Sequence, residues 1–262
     1  GAETTVPTYA YSAPGQPTLF NNRDVGMFPN LSATAYPKYS LPQANNIAGL
    51  VSCQDHDYSG NNPAFRVAIC TEALGVQQSG YTTTGGLTQS SWKNFGGTQG
   101  FASAAVVPPG SDSNGGSIAI NACDTENALW AQLNQNNGGK IFRTVNMSSN
   151  SIQWSEVPNG TAFTPTLPTS GNLGWGSGQY YTNRVVLTAD KVQCDTFYLY
   201  NSLPSANGGG VYKSTDKGAT FDRVFAGPIG QEVGYFRMKA MPDAAGHLYS
   251  MGGVMAGHQH PY

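Results

Sequence analysis

The chain has 262 residues, of which 11% are charged, and a formal net charge of -2. That balance excludes the basic stripe of a nucleic-acid binder and the like-charge blocks of a solvating tail. With 33 glycines, 16 prolines and 11% aromatics, the composition is that of short strands joined by many turns, not of a disordered polymer.

No apolar run approaches the roughly 18 residues that signal a membrane span. The N-terminal Gly-Ala-Glu-Thr-Thr has neither the basic nor the apolar region of a secretion signal, so any such signal is expected to have been removed or never to have belonged to this segment. Neither nucleic acid nor membrane is expected as a partner, and no cofactor is expected.

Residues 1–20 are rich in Pro and Tyr without periodicity and are expected as an irregular arm or an edge strand. Residues 48–51 and 65–70 suggest two strands around a polar loop at 54–63. Within that loop Asp55, Asp57 and Ser59 followed by Gly60 match the first half of a calcium loop, although Arg66 stands where the closing glutamate belongs. A polar loop closed by a disulfide is the competing reading.

Cys53, Cys70, Cys123 and Cys194 are even in number and show no zinc spacing. Cys53 and Cys70 flank the loop and are the first expected disulfide, which leaves Cys123 with Cys194. Sequons at Asn30, Asn146 and Asn159 add to the case for a secreted, glycosylated, disulfide-bonded protein.

Three later hairpins share one scheme. Tyr81–Trp92 centres on Gly85-Gly86, Ile141–Trp154 repeats the polar turn, and Val211–Val224 is the fullest version. In the last, Ser214, Asp216, Gly218 and Thr220 alternate before Phe221. Short polar side chains there can bond the backbone of the turn, and Gly218 can take a positive φ. The closing aromatics Trp92, Trp154 and Phe221 recur at intervals of sixty-odd residues, an internal period of the kind propeller blades leave.

Ser-x-Asp-x-Gly-x-Thr-Phe resembles the Asp-box (BNR repeat), a hairpin device of sialidases, sortilin-like receptors and some glucan hydrolases. The fold expected is all-β: an irregular arm at 1–20, then an Asp-box β-propeller over 21–262 of about three and a half blades, the last one truncated. Propellers close with about four to eight blades, so another chain, another copy or a missing region is expected to complete the ring. A small barrel with coincidental hairpins is the alternative.

Ordered pieces of the chain narrow the resemblance. Arg23-Asp-Val-Gly-Met-Phe28, Gly80-Tyr-Thr-Thr-Thr-Gly-Gly86, Asn183-Arg-Val-Val186 with Thr196-Phe-Tyr-Leu-Tyr200, and Met238-Lys-Ala-Met-Pro242 with Gly246-His-Leu-Tyr249 are similar to segments of the C-terminal propeller of family 74 glycoside hydrolases, the xyloglucanases and related β-1,4-glucan hydrolases. The resemblance implies inverting hydrolysis by two carboxylates standing roughly 6.5–9.5 Å apart. It places the general acid at Asp24, in the first of these segments, and the base in a second propeller outside this sequence. Arg23 and Met27 depart from the family pattern around that aspartate.

A β-glucan or xyloglucan is then the expected polysaccharide partner, and Trp175, Tyr180, Tyr181 and Tyr36 are the candidate sugar platforms. Trp92 and Trp154 are expected to point inward instead. His258 and His260 are close in sequence, and a solvated tail outweighs a metal site there. No arginine cluster supports a sialidase, and Gly174-Trp-Gly-Ser-Gly178 lacks the spacing of a nucleophile elbow. A non-catalytic propeller for carbohydrate binding or for building a surface or filament assembly is the second expectation.

Overall fold

The computed structural model describes residues 6–23, 26–32, 34–37, 41, 50–72, 78–97, 105–109, 116–132, 139–167, 185–201, 203, 205–226 and 233–254. Almost all regular structure among them is β, arranged in five sheets built mainly of antiparallel neighbours. The first joins β1 (Val6–Ser12), β2 (Thr18–Arg23) and β3 (Gly26–Asn30). The N-terminal stretch is therefore an ordered edge strand and the start of a hairpin, rather than an irregular arm.

Two four-stranded meanders follow. One is β4 (Leu50–Tyr58), β5 (Arg66–Glu72), β6 (Gly80–Thr82) and β7 (Trp92–Asn94); the other is β8 (Gly116–Ile120), β9 (Ala128–Gln132), β10 (Ile141–Thr144) and β11 (Ser155–Glu156). The short β12 (Phe163–Thr164) then lies parallel to the outer strand of the next meander. That meander is β13 (Leu187–Ala189), β14 (Phe197–Asn201), β15 (Gly210–Ser214) and β16 (Phe221–Phe225). The last sheet pairs β17 (Val233–Ala240) with β18 (Leu248–Val254). This is a partial β-propeller, with three sheets of at least four strands flanked by a three-stranded and a two-stranded one.

Side chains alternate across each strand, and this places successive sheets face to face. On β8, Ile118 and Ile120 enter one core layer with Val67, Ile69 and Tyr81 of the second sheet. Ala119, between them, enters another with Leu187, Phe197 and Leu199 of the fourth. β9 repeats the division, Trp130 facing back and Leu129 facing forward. A third layer packs Leu19 and Met27 of the first sheet on Cys53, Cys70 and Trp92.

The three hairpins expected from the sequence occupy one topological place, from the third to the fourth strand of their sheets. Trp92 is buried as expected, and Phe221 is buried too. Trp154 is half-buried, its ring edge-on to Trp130 at 5.8 Å.

Contacts between inner strands run from β1 to β4, β8, β13 and β17 in turn. Val185, just before β13, bridges Arg237 on β17, and the Tyr11 hydroxyl donates to the Ala240 carbonyl at 3.4 Å. Side chains of β1 and β17 thus touch, Arg237 and Lys239 lying over the Tyr9 ring.

Candidate functional site

The hairpin at Val211–Val224 shows how its residue types build a turn. The Ser214 hydroxyl donates to Asp216 Oδ1 at 2.7 Å and accepts from the Gly218 amide at 2.9 Å. Asp216 Oδ1 also accepts the amides of Ala219 and Thr220, and Oδ2 the Thr220 hydroxyl at 2.6 Å. Gly218 has φ +81, and a Cβ there would meet the Leu129 side chain at 2.6 Å, so glycine is needed both for conformation and for the approach of the neighbouring sheet.

That approach is fastened by the Lys217 carbonyl, which accepts from Asn127 and from Arg143 Nε at 2.8 Å. The hairpin is a clamp between sheets. In the hairpin at 141–154, Asn146 takes the position of Asp216: it accepts from the Thr144 hydroxyl and from the Gln153 amide. Its Nδ2 donates to the Ser151 carbonyl, so this sequon amide already serves the turn. Asn30 likewise donates to the Ala35 carbonyl, and Asn159 is 9% exposed.

Both disulfides pair as the sequence suggests. Cys53–Cys70 joins directly opposed residues of β4 and β5. Cys123–Cys194 ties the turn after β8 to the turn after β13, and Asn121 exchanges hydrogen bonds with Asp195 beside it.

The densest polar chemistry lies where the inner strands meet. Residues 54–58 belong to β4 and are buried, not a surface loop. Alternation places Asp55 and Asp57 together toward β8. Asp55 Oδ2 accepts the Ile118 amide at 2.9 Å and the Ser117 hydroxyl at 3.0 Å; Asp57 Oδ2 accepts the Ile120 amide at 3.1 Å.

Lys191 Nζ pairs with Asp57 Oδ1 at 2.7 Å and donates to the Tyr58 carbonyl at 2.8 Å, while Lys239 Nζ stands 3.5 Å from Asp55 Oδ1. The calcium expectation for Asp55, Asp57 and Ser59 is thereby corrected. Two ammonium groups neutralise the carboxylates, the Ser59 hydroxyl turns away to donate to the Ala122 carbonyl, and no group of metal-binding side chains occurs among the described residues.

Gly60 has a steric reason to be glycine, since a Cβ would fall 1.9 Å from the Lys191 carbonyl oxygen. This close passage of the loop after β4 brings the Lys191 chain to Asp57.

Burial dominates the electrostatics. It pushes the Asp55 carboxyl above the usual range, against the pull of Lys239 and the Ile118 amide. It lowers Lys191 against the pull of Asp57. His56, whose Nε2 lies 3.2 Å from the Tyr11 carbonyl, is driven well below the ordinary imidazole value by burial and by Arg66, and is neutral. Tyr9 and Tyr11 are raised by burial and by the nearby carboxylates, so both phenols keep their protons.

A cavity of about 420 Å³ opens beside this cluster, lined by Tyr9, Tyr11, Arg237, Lys239, Pro242 and Tyr249 among others. Lys239, Arg237, Tyr9 and Tyr11 were not singled out from the sequence. Their only signal is a pair of tyrosines two residues apart on β1 and a pair of cations two residues apart on β17.

Of the expected site residues, Tyr36 projects from the surface at 95% exposure. Asp24, Trp175, Tyr180 and Tyr181 lie outside the described residues, as do His258 and His260.

No family model matches the sequence, and no curated protein matches it. Solved structures do. The chain is similar over 94% of its length to the GH74 xyloglucanase from Xanthomonas campestris, with a TM-score of 0.61 and 22% identity. Over 91% of its length it is similar to a GH74 enzyme from Niastella koreensis, with a TM-score of 0.59 and 22% identity. It spans 28% and 26% of those chains. At this identity the likeness shows the fold alone: the five sheets are arranged as part of a β-propeller.

Proposed function

We propose that the chain is a secreted, glycan-directed Asp-box propeller that works within a larger β-glucan or xyloglucan hydrolase. The observation that carries this reading is the likeness of 94% of the chain to a GH74 xyloglucanase, in the family that the ordered sequence pieces resemble. Because that stretch is 28% of the xyloglucanase's length, the second propeller and the general base come from a longer polypeptide, another chain or another copy. Asp24 is the general acid of the inverting pair, and Trp175, Tyr180 and Tyr181 are platforms for glucosyl rings. Two disulfides support an oxidising, extracellular setting.

The test is release of reducing ends from xyloglucan and mixed-linkage β-glucan by the full-length protein and its Asp24→Asn variant. Activity lost in the variant supports the reading, and equal activity in both removes Asp24 from the mechanism.

One observation favours a second reading, a non-catalytic propeller for carbohydrate binding or assembly. The carboxylates buried at the axis, Asp55 and Asp57, are held by backbone amides and by Lys191 and Lys239. Neither is free to act as acid or base. Complete absence of hydrolysis together with retained glycan binding would select this reading.

A further inference from the structure

The cavity beside the axial cluster combines two features with a chemical meaning. Tyr9 and Tyr11 on β1, two residues apart, share a face, and their rings are 5.8 Å apart. Arg237 and Lys239 on β17, also two residues apart, face them. The Arg237 guanidinium lies 5.7 Å from the Tyr9 ring centre and Lys239 Nζ 5.0 Å from it. Lys239 has Asp55 as counter-ion. Arg237 forms no salt bridge among the described residues. The acidic groups that bear on this quarter are the lysine-paired Asp55 and Asp57 and the exposed Asp243, on the turn after β17, felt by Tyr58.

Tyr249 stands at the rim, 61% exposed, and the buried Tyr9 hydroxyl has no hydrogen-bond partner among the described residues. An open, aromatic-walled cavity of about 420 Å³ falls within the range of roughly 300–1,000 Å³ that small-ligand sites occupy.

We propose that this cavity is a binding subsite for an acidic sugar, a uronic-acid residue of a polysaccharide. The planar guanidinium of Arg237 takes the carboxylate through paired N–H donors. The apolar face of the pyranose ring lies on the exposed Tyr249 ring. The choice of a sugar over other carboxylates rests on the glycan-directed reading above; the demand for a negative charge rests on Arg237 alone.

The experiment is calorimetric titration of the full chain with tetragalacturonate, its methyl ester and benzoate, repeated on Arg237→Gln and Tyr249→Ala. Tetragalacturonate should bind, and esterification should weaken it about tenfold or more, as should Arg237→Gln, by removing a charged hydrogen-bonding pair. Tyr249→Ala should weaken it roughly two- to tenfold, the usual worth of an aromatic contact. Tyr249 is exposed, so that variant keeps the test meaningful if Arg237→Gln unfolds.

No binding of tetragalacturonate overturns the proposal, and so does equal binding of the methyl ester. Benzoate binding as tightly as the oligosaccharide overturns the choice of a sugar. Xyloglucan hydrolysis is measured separately, so its loss or survival does not alter these outcomes.

Discussion

Two aspartate sites in this molecule use the same chemistry in opposite surroundings. Asp216, on the rim hairpin, gathers its donors from within four residues and needs no cation. Burial raises its carboxyl somewhat, but the bonds from Thr220, Ser214 and Ala219 outweigh that and hold it below the usual carboxylate range. Asp55, at the axis, also accepts amides, yet burial wins over Lys239 and its carboxyl is raised. Local donors can satisfy a carboxylate that water still reaches. A carboxylate sealed among five sheets needs a counter-charge brought from far along the chain.

The sharpest way to break this comparison is to remove a charge at the axis. Asp57→Ala leaves Lys191 buried without its counter-ion and should cost about 3–5 kcal/mol, read from chemical denaturation. A loss near that of an exposed site would show that water enters the cluster. Asp216→Ala removes bonds that water can partly replace and should cost only about 1–2 kcal/mol. An equal loss from both substitutions would erase the distinction.

The axis should also leave a pH signature absent from the rim. Folded His56 titrates well below the unfolded value of about 6.5, because burial and Arg66 disfavour its charged form. As the pH falls below about 6.5, the unfolded chain takes up a proton that the native ring resists, so stability falls by up to about 1.4 kcal/mol per pH unit. Asp55, with its raised carboxyl, works in the opposite sense, losing stability as the pH rises. His56→Gln should therefore flatten the acid limb of the stability curve, whatever its effect at neutral pH. An unchanged slope would place a proton on native His56.

The smallest effect belongs to the Lys140–Glu156 pair, whose side chains are 53% and 40% exposed. Glu156→Ala should change stability by no more than about 1 kcal/mol and less in high salt.

The rim was legible in the sequence because its interactions are local. Ser214, Asp216 and Gly218 meet within one turn, so the residue types of that hairpin announce it by themselves. Cys53 and Cys70 suggested each other because they flank one loop between two strands, and the second disulfide was the remaining pair. The axis was not legible. Asp55-His-Asp-Tyr58 has the composition of a surface loop, and a buried strand carrying two carboxylates contradicts the ordinary pattern of core strands. Its explanation lies 134 residues away at Lys191 and 184 away at Lys239.

The sequence by itself determined the all-β class and the repeated hairpins, since each depends on residues a few positions apart or on a repeated spacing. Only the tertiary structure decided that the N-terminal strand packs against the last sheet, that Asp55 and Asp57 face lysines rather than calcium, and that Tyr9, Tyr11 and Arg237 wall one cavity. Those outcomes depend on which strands become neighbours around the axis. That is fixed by the collective burial of several sheets and has no signature in any one stretch of chain.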